Sequence, residues 1–167
     1  RSAKLADLFV AAMRMGPDRG IYLAARSPRR RELLAQIGVR FHLLLFRALP
    51  QADAEVDEAV VPGEAPREYV TRVSRAKAQA GWRRMLQRNL PRAPVLAADT
   101  AVVLEGRILG KPADREEAAG MLAALSGRRH EVLTAVAVTC EERTELAVSA
   151  SEVEFRALAA NEIRDYV

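Results

Sequence analysis

Apolar positions along the chain recur with two different periods, and each change of period marks a new element. Leu5, Leu8, Phe9, Ala12 and Met13 share one side of a helix that Gly16-Pro17 ends. Ile21 to Ala25 is apolar but too short for a helix, so it reads as a strand; Leu33, Leu34 and Ile37 then return at helical spacing. Ser27 is placed to cap that helix, with Pro28 at its first position, where a missing amide hydrogen costs nothing, and Gly38 supplies the stop. Val39 to Leu45 reads as a second strand, and Pro50 to Pro66, polar, acidic and proline-bearing, as a long loop. From Glu68 to Leu90, Tyr69, Val70, Val73, Ala76, Ala80 and Leu86 predict a long helix, with Gly81 out of place inside it and Pro91 to Pro94 ending it. Short strands are expected at Val95 to Ala98 and Ala101 to Leu104, on either side of Asp99-Thr100, followed by a tight turn at Glu105-Gly106. A helix over Ala113 to Leu125 begins at Asp114 and stops at Ser126-Gly127. Strands over Glu131 to Thr139 and Leu146 to Phe155 come next, then the start of a helix capped by Asn161. Helices interleaved with strands imply a layered α/β core.

With 167 residues, half of them apolar, the chain buries one substantial core, so a single domain from residue 21 onward follows a helical extension over 1–20. The net charge of +4 favours anionic partners, but arginine is spread throughout, so location matters more than the total. Cys140 is the only cysteine, which rules out an internal disulfide, makes a reducing compartment the default and reads as an interior residue beside Val136 and Val138. No apolar run approaches the length of a membrane-spanning helix, and no membrane partner is expected. Asp7 interrupts the basic face that a targeting peptide would need. One tryptophan and three tyrosines form no stacking pattern and no zinc-finger spacing occurs, so nucleic acid is not an expected partner.

The candidate chemistry is cationic and acidic at a few points. After the first strand, the free amides of a helix start and the guanidinium groups of Arg29 and Arg30 face the same space, a place suited to an anion. Asp99 follows Val95-Leu96-Ala97-Ala98, where a carboxylate emerges at the end of a buried strand, the position at which open α/β sheets place ligands. Lys111 lies in Gly110-Lys111-Pro112, which is no Walker A loop, because the proline removes both the hydroxyl and an amide donor. Lys77, with Arg72 and Arg75 before it on no common face, reads locally as a solvated helix surface. Asp57-Glu58 is either a bland loop pair or a source of carboxylates sharing a divalent metal with Asp99. His42 and His130 have no metal-ligand spacing and read as structural, with His130 the better functional candidate because Ser126-Gly127-Arg128-Arg129-His130 looks like an exposed basic turn.

Taken together, Leu23-Ala24-Ala25-Arg26-Ser27-Pro28-Arg29-Arg30-Arg31-Glu32-Leu33-Leu34, Ala98-Asp99-Thr100-Ala101-Val102-Val103, Gly106-Arg107-Ile108-Leu109-Gly110-Lys111-Pro112 and Leu125-Ser126-Gly127-Arg128-Arg129-His130-Glu131-Val132-Leu133-Thr134-Ala135-Val136 resemble, in order and spacing, the Maf family of nucleoside triphosphate pyrophosphatases. The resemblance runs from about Ile21 to Val167. Ala98-Asp99-Thr100 and Thr134-Ala135-Val136 look like the branch acting on dTTP and UTP, whereas the branch acting on 7-methyl-GTP usually has Ser-Asp-Gln at the former place. The resemblance implies a Maf/ITPase-like layered α/β fold with a mixed, strongly twisted central sheet, flanking helices and a cleft between two lobes. It implies hydrolysis between the α and β phosphates, giving a nucleoside monophosphate and pyrophosphate.

By the same resemblance, Ser27, Arg29, Arg30, Thr100, Lys77 and Lys111 bind the substrate and its phosphates. Asp99 is the general base, with Lys77 and Lys111 as further catalytic groups, and Glu58 and Asp99 hold a divalent cation, Mg²⁺ or Mn²⁺. A homodimer, a cytoplasmic location and a role in clearing noncanonical or excess nucleotides, linked to arrest of septum formation, are implied as well. The physical logic agrees, because phosphoryl transfer mainly requires an aligned nucleophile and neutralised charge on the non-bridging oxygens.

Two departures stand out. Ala25 replaces the serine of the family's Leu-Ala-Ser opening, and the family pattern continues past Tyr166-Val167 into Lys-Ala-Gly and Gly-Tyr-x-Ile-Gln-Gly, whose glutamine belongs to the active site. The 167 residues alone are therefore expected to be catalytically impaired, with a nucleotide-binding or regulatory Maf-like domain as the alternative. Phe46 to Val56 is also longer than the family's usual spacing.

Overall fold

Six strands and four helices follow one another in the computed structural model, which describes residues 20–25, 27–44 and 56–167. They are β1 (Ile21–Leu23), α1 (Pro28–Gln36), β2 (Phe41–Leu43), α2 (Pro66–Gln87), β3 (Val95–Leu104), β4 (Arg107–Leu109), α3 (Arg115–Leu125), β5 (Arg129–Cys140), β6 (Arg143–Glu154) and α4 (Ala160–Tyr166). The helix expected over residues 5–13 and nearly all of the long Phe46 to Val56 stretch lie outside the described residues.

The strands form one mixed sheet in the order β2-β1-β3-β5-β6, with β4 also on β3. β1 pairs in parallel with β2 and β3, while β3 with β4, β3 with β5, and β5 with β6 are antiparallel. β5 accompanies one edge of β3 without a break from Val95 to Val103. Because a strand has two edges, β1 and β4 must share the other: β1 reaches Leu96 and β4 begins at Val102. No strand of the described residues lies against residues 97–101 on that edge, which leaves a gap beside the middle of β3 while its other edge stays paired with β5.

Alternation along β3 assigns its side chains to two layers. Val95 and Ala97 pack with Ala78, Trp82 and Met85, and Ala101 and Val103 with Val70, so this face lies under α2. Leu96 packs instead with Leu34 of α1, together with Ile21, Leu23 and Val138, on the opposite face. Asp99 has the register of Ala97 and Ala101 and points toward α2, whereas Thr100 points the other way.

The expected break of β3 at Asp99-Thr100 is absent, and one ten-residue strand runs through both. Two polar residues in an apolar run read as an interruption, yet the backbone stays extended because Asp99 finds a charged partner on α2. Glu105-Gly106 makes the predicted tight turn, with φ of 50° and 78°. Asp114 caps α3 by accepting from the Glu117 amide at 2.8 Å, and the Glu117 carboxylate in turn accepts from the Ala113 amide at 2.6 Å. Ser27 makes no side-chain capping bond, contrary to expectation. α4 starts one residue before Asn161, with the Ala159 amide donating to Glu162 at 2.8 Å; this bond and the Arg156 pair lower the Glu162 carboxyl to about 2, Arg156 contributing most.

Gly81 is explained by close approach. A Cβ there would meet Val95 Cγ1 at 2.7 Å and the Ala24 Cβ at 3.0 Å, so α2 packs too closely on β3 and on the residue after β1 to admit a side chain. Neither neighbour is the end of a flexible side chain. Gly81→Ala is expected to destabilise the fold by about 1–2 kcal/mol, because overpacking outweighs the gain in helix propensity. Urea denaturation measures the difference, and an unchanged or raised midpoint would contradict the close approach.

Candidate active site

Lys77 projects from α2 onto the floor strand. Its Nζ donates to Asp99 Oδ1 at 2.7 Å and lies 2.9 Å from Glu58 Oε1, so one ammonium joins two carboxylates from distant parts of the chain. Lys111, just past β4, reaches Glu58 Oε2 at 3.3 Å from a side chain that is 90% exposed. Asp99 is buried, with 7% of its surface exposed. The half-buried Arg30 guanidinium has its pKa lowered by burial, partly offset by the negative charges of Asp99 and Glu58. Burial alone would raise the Glu58 carboxyl. The hydrogen bonds and charges of Lys77 and Lys111 together outweigh it and hold the group below the ordinary carboxylate range.

Five of the sequence candidates therefore converge: Arg30, Glu58, Lys77, Asp99 and Lys111. They come from α1, the 56–65 loop, α2, β3 and the segment after β4, and Asp99 lies midway along the stretch of β3 between β1 and β4. Others lie elsewhere. Arg29 is turned along the surface of α1 toward Glu32 at 3.4 Å. Ser27 is partly exposed at the start of α1. Thr100 is on the opposite face of β3, sharing a hydrogen bond of 3.0 Å with the Thr134 hydroxyl. Ala25 is buried with Ile21, Leu23, Leu34 and Leu96, where the serine of the Leu-Ala-Ser pattern would have a hydroxyl among apolar groups.

The picture of His130 as part of an exposed turn is overturned. It is buried, pairs with Val153 and meets Phe155 edge to face at 4.9 Å, because β5 begins one residue earlier and draws it into the sheet. Cys140 is half-buried near the β5–β6 hairpin, with burial pushing its thiol up.

Three residues of the site's surroundings were not legible as such. Arg72 Nε and Nη2 pair with Glu64 at 2.6 and 2.9 Å, and the same guanidinium donates to the carbonyls of Asp57 at 2.9 Å and Ala59 at 2.8 Å. The Tyr69 hydroxyl donates to the Glu58 carbonyl at 3.1 Å. Helical periodicity shows only that Tyr69 and Arg72 are one turn apart; their partners are backbone oxygens in a loop without a pattern. The available signal was Pro62-Gly63, whose Gly63 φ of 79° and Glu64 amide to Val61 carbonyl bond of 2.9 Å make a type II turn that returns Glu64 toward α2.

The electrostatic arrangement suits a polyanion, since three cations surround two carboxylates at the open side of the sheet. Among the described residues no three His, Cys, Asp or Glu side chains form a metal-sized group, but Glu58 and Asp99 offer an all-oxygen pair of the kind that binds Mg²⁺ or Mn²⁺ together with substrate phosphates. No helix of the described residues is long and apolar enough to cross a membrane.

A family model described as Maf-like protein matches residues 20–167. The dTTP/UTP pyrophosphatase of Nitrosomonas europaea is 52% identical over 147 residues, covering 88% of this chain and 71% of that protein. Its counterpart in Aromatoleum aromaticum is 56% identical over 148 residues, covering 88% and 72%, and that of Dechloromonas aromatica 52% over 147 residues, covering 88% and 73%. A solved structure of the Staphylococcus aureus Ham1 protein superposes with a TM-score of 0.49 at 17% identity, covering 81% of this chain and 71% of that one.

Proposed function

The chain belongs to the Maf family, and from that premise we propose that it is a nucleoside triphosphate pyrophosphatase that hydrolyses dTTP and UTP to the monophosphate and pyrophosphate. The observation that carries this reading is the joining of Asp99 and Glu58 through Lys77, with Lys111 and Arg30 beside them, at the gap in the sheet. In this reading the triphosphate lies across the gap. Asp99 uses one carboxylate oxygen to hold Lys77 and the other to take a proton from water. The water oxygen forms a bond to the α phosphorus as the bond to the oxygen bridging to the β phosphorus breaks, and the electron pair leaves with pyrophosphate. Lys77, Lys111 and Arg30 neutralise the charge that gathers on the departing group. Arg30 gives directional, paired donors, while the lysines act as adjustable point charges. Ser27 and Arg29, at the start of α1, belong to this reading as phosphate contacts, while Thr100, on the opposite face of β3, takes no part in it.

Glu58 and Asp99 would hold a divalent cation, Mg²⁺ or Mn²⁺, which supplies Lewis-acid polarisation of the phosphoryl oxygens when bound. The donor set supports it, since both groups are carboxylates and Glu58 is kept ionised by its lysines. A homodimer in the cytoplasm that removes noncanonical or excess nucleotides completes the proposal.

Incubation of the intact protein with each nucleoside triphosphate and Mg²⁺ or Mn²⁺ is expected to release pyrophosphate, with dTTP or UTP the best substrate and chelation stopping the reaction. Release of orthophosphate alone would refute the proposed bond cleavage. Tight nucleotide binding without turnover, across a screen of metals, would favour the regulatory alternative.

A further inference from the structure

The backbone on both sides of Glu58 is held by groups that take no part in the chemistry proposed for it. The Ala59 amide donates to Asp57 Oδ1 at 2.9 Å, which turns the chain tightly at Glu58. The carbonyls of residues 57, 58 and 59 accept from Arg72, Tyr69 and Arg72 in turn. Arg72 is held in its turn by the two-oxygen grip of Glu64, whose side chain is only 9% exposed and which also accepts from the Val61 amide at 3.2 Å. The Arg72 guanidinium lies 5.6 Å from the centre of the Tyr69 ring, so the two donors brace each other. A planar fork that satisfies Glu64 with one edge and two carbonyls with its remaining hydrogens cannot be reproduced by an ammonium.

We propose that Arg72, braced by Glu64 and assisted by Tyr69, is a positioning residue that fixes the Glu58 backbone so that the Glu58 carboxylate meets Lys77 and Lys111. This rests on the reading of Glu58 as a catalytic-site carboxylate. A loop carries no ladder of its own to hold a side chain in place, and Glu58, like Lys111, lies outside every helix and strand, whereas Arg30, Lys77 and Asp99 are each fixed by the element that carries them. Removing an outer partner of a site ligand costs about 10–100-fold in activity or affinity, and the clamp stands in that relation to Glu58.

The test is a double-mutant cycle on the intact protein with dTTP. Arg72→Met is expected to lower kcat by about 10–100-fold with KM little changed, and to have almost no further effect in a Glu58→Gln background, because the position of an absent carboxylate no longer matters. Tyr69→Phe, which removes one hydroxyl and keeps the ring, is expected to show the same dependence on background with a smaller loss, and it serves where Arg72→Met fails to fold. Arg72→Lys should not rescue. Equal fold-losses in both backgrounds would show a general structural role and overturn the clamp while leaving the pyrophosphatase reading intact. Unchanged turnover in Glu58→Gln alone would remove Glu58 from the site, and both inferences would fall together.

Discussion

Asp99→Asn is expected to lower pyrophosphate release from dTTP by about 10³-fold or more while leaving the fold and most of the nucleotide affinity in place. The replacement has nearly the same shape, and its amide oxygen still accepts from Lys77, so the sheet and α2 lose no packing. What disappears is the proton acceptor and a negative charge. General-base catalysis alone is worth about 10²–10⁴-fold, and the loss of a carboxylate from the Glu58–Asp99 pair adds to it. Single-turnover measurements at saturating nucleotide separate the chemical step from binding. Turnover close to that of the unaltered protein would exclude Asp99 from both proposed tasks, whatever its burial.

Lys77→Met carries the second large effect, and it has a pH signature. Met preserves the stem that passes over β3 but leaves Asp99 and Glu58 facing each other without their shared cation. A loss of about 10²–10³-fold in kcat is expected, the scale of removing one preorganised group from developing charge. The sign of the pH effect follows from Glu58. Burial raises its pKa, and Lys77 makes the largest opposing contribution, followed by Lys111. With Lys77 gone, burial acts against weaker opposition, so the Glu58 pKa rises. The acid limb of the kcat profile should therefore move to higher pH. Folding follows the same sign: a carboxylate whose pKa is lowered in the folded state stabilises it above the unfolded pKa, and that support is lost as pH falls through the folded value. Lys77→Met should thus also weaken the fall in stability on acidification. An acid limb that stays in place would mean that Lys77 does not control Glu58 in solution.

Much of the fold could be read from periodicity, and the failures have physical causes. The first strand and helix, the long helix, the Asp114 cap and the Glu105-Gly106 turn were each signalled by residues whose preferences act locally. The continuity of β3 was not, because Asp99 is tolerated inside a strand only through a lysine 22 residues earlier in the chain. His130 was misplaced for a related reason: three polar residues before it suggested a turn, but pairing with β6 begins at Arg129. In the site, positive charge at Arg30, Lys77 and Lys111 was visible in the sequence. Its convergence was not, since no local rule brings α1, α2 and the end of β4 to one point. Lys77 looked like a solvated side chain, and only the resemblance gave it a role, whereas Glu58 was readable either as a bland loop acid or as a carboxylate sharing a metal with Asp99. Arg72 looked equally ordinary, because its partners are carbonyls that every residue possesses.

A carboxylate in the middle of β3 has no hinge. The strand is registered against β5 through nine consecutive residues, and Asp99 is near their midpoint, so it cannot shift without unzipping neighbours on both sides. Any adjustment to substrates of different size or shape must then come from the other partners, above all the arginine-tethered 56–65 loop and the long exposed arm of Lys111. Sequence change in those parts can retune which nucleotide is accepted while the reference point of the reaction stays fixed, which separates the evolution of preference from the preservation of chemistry.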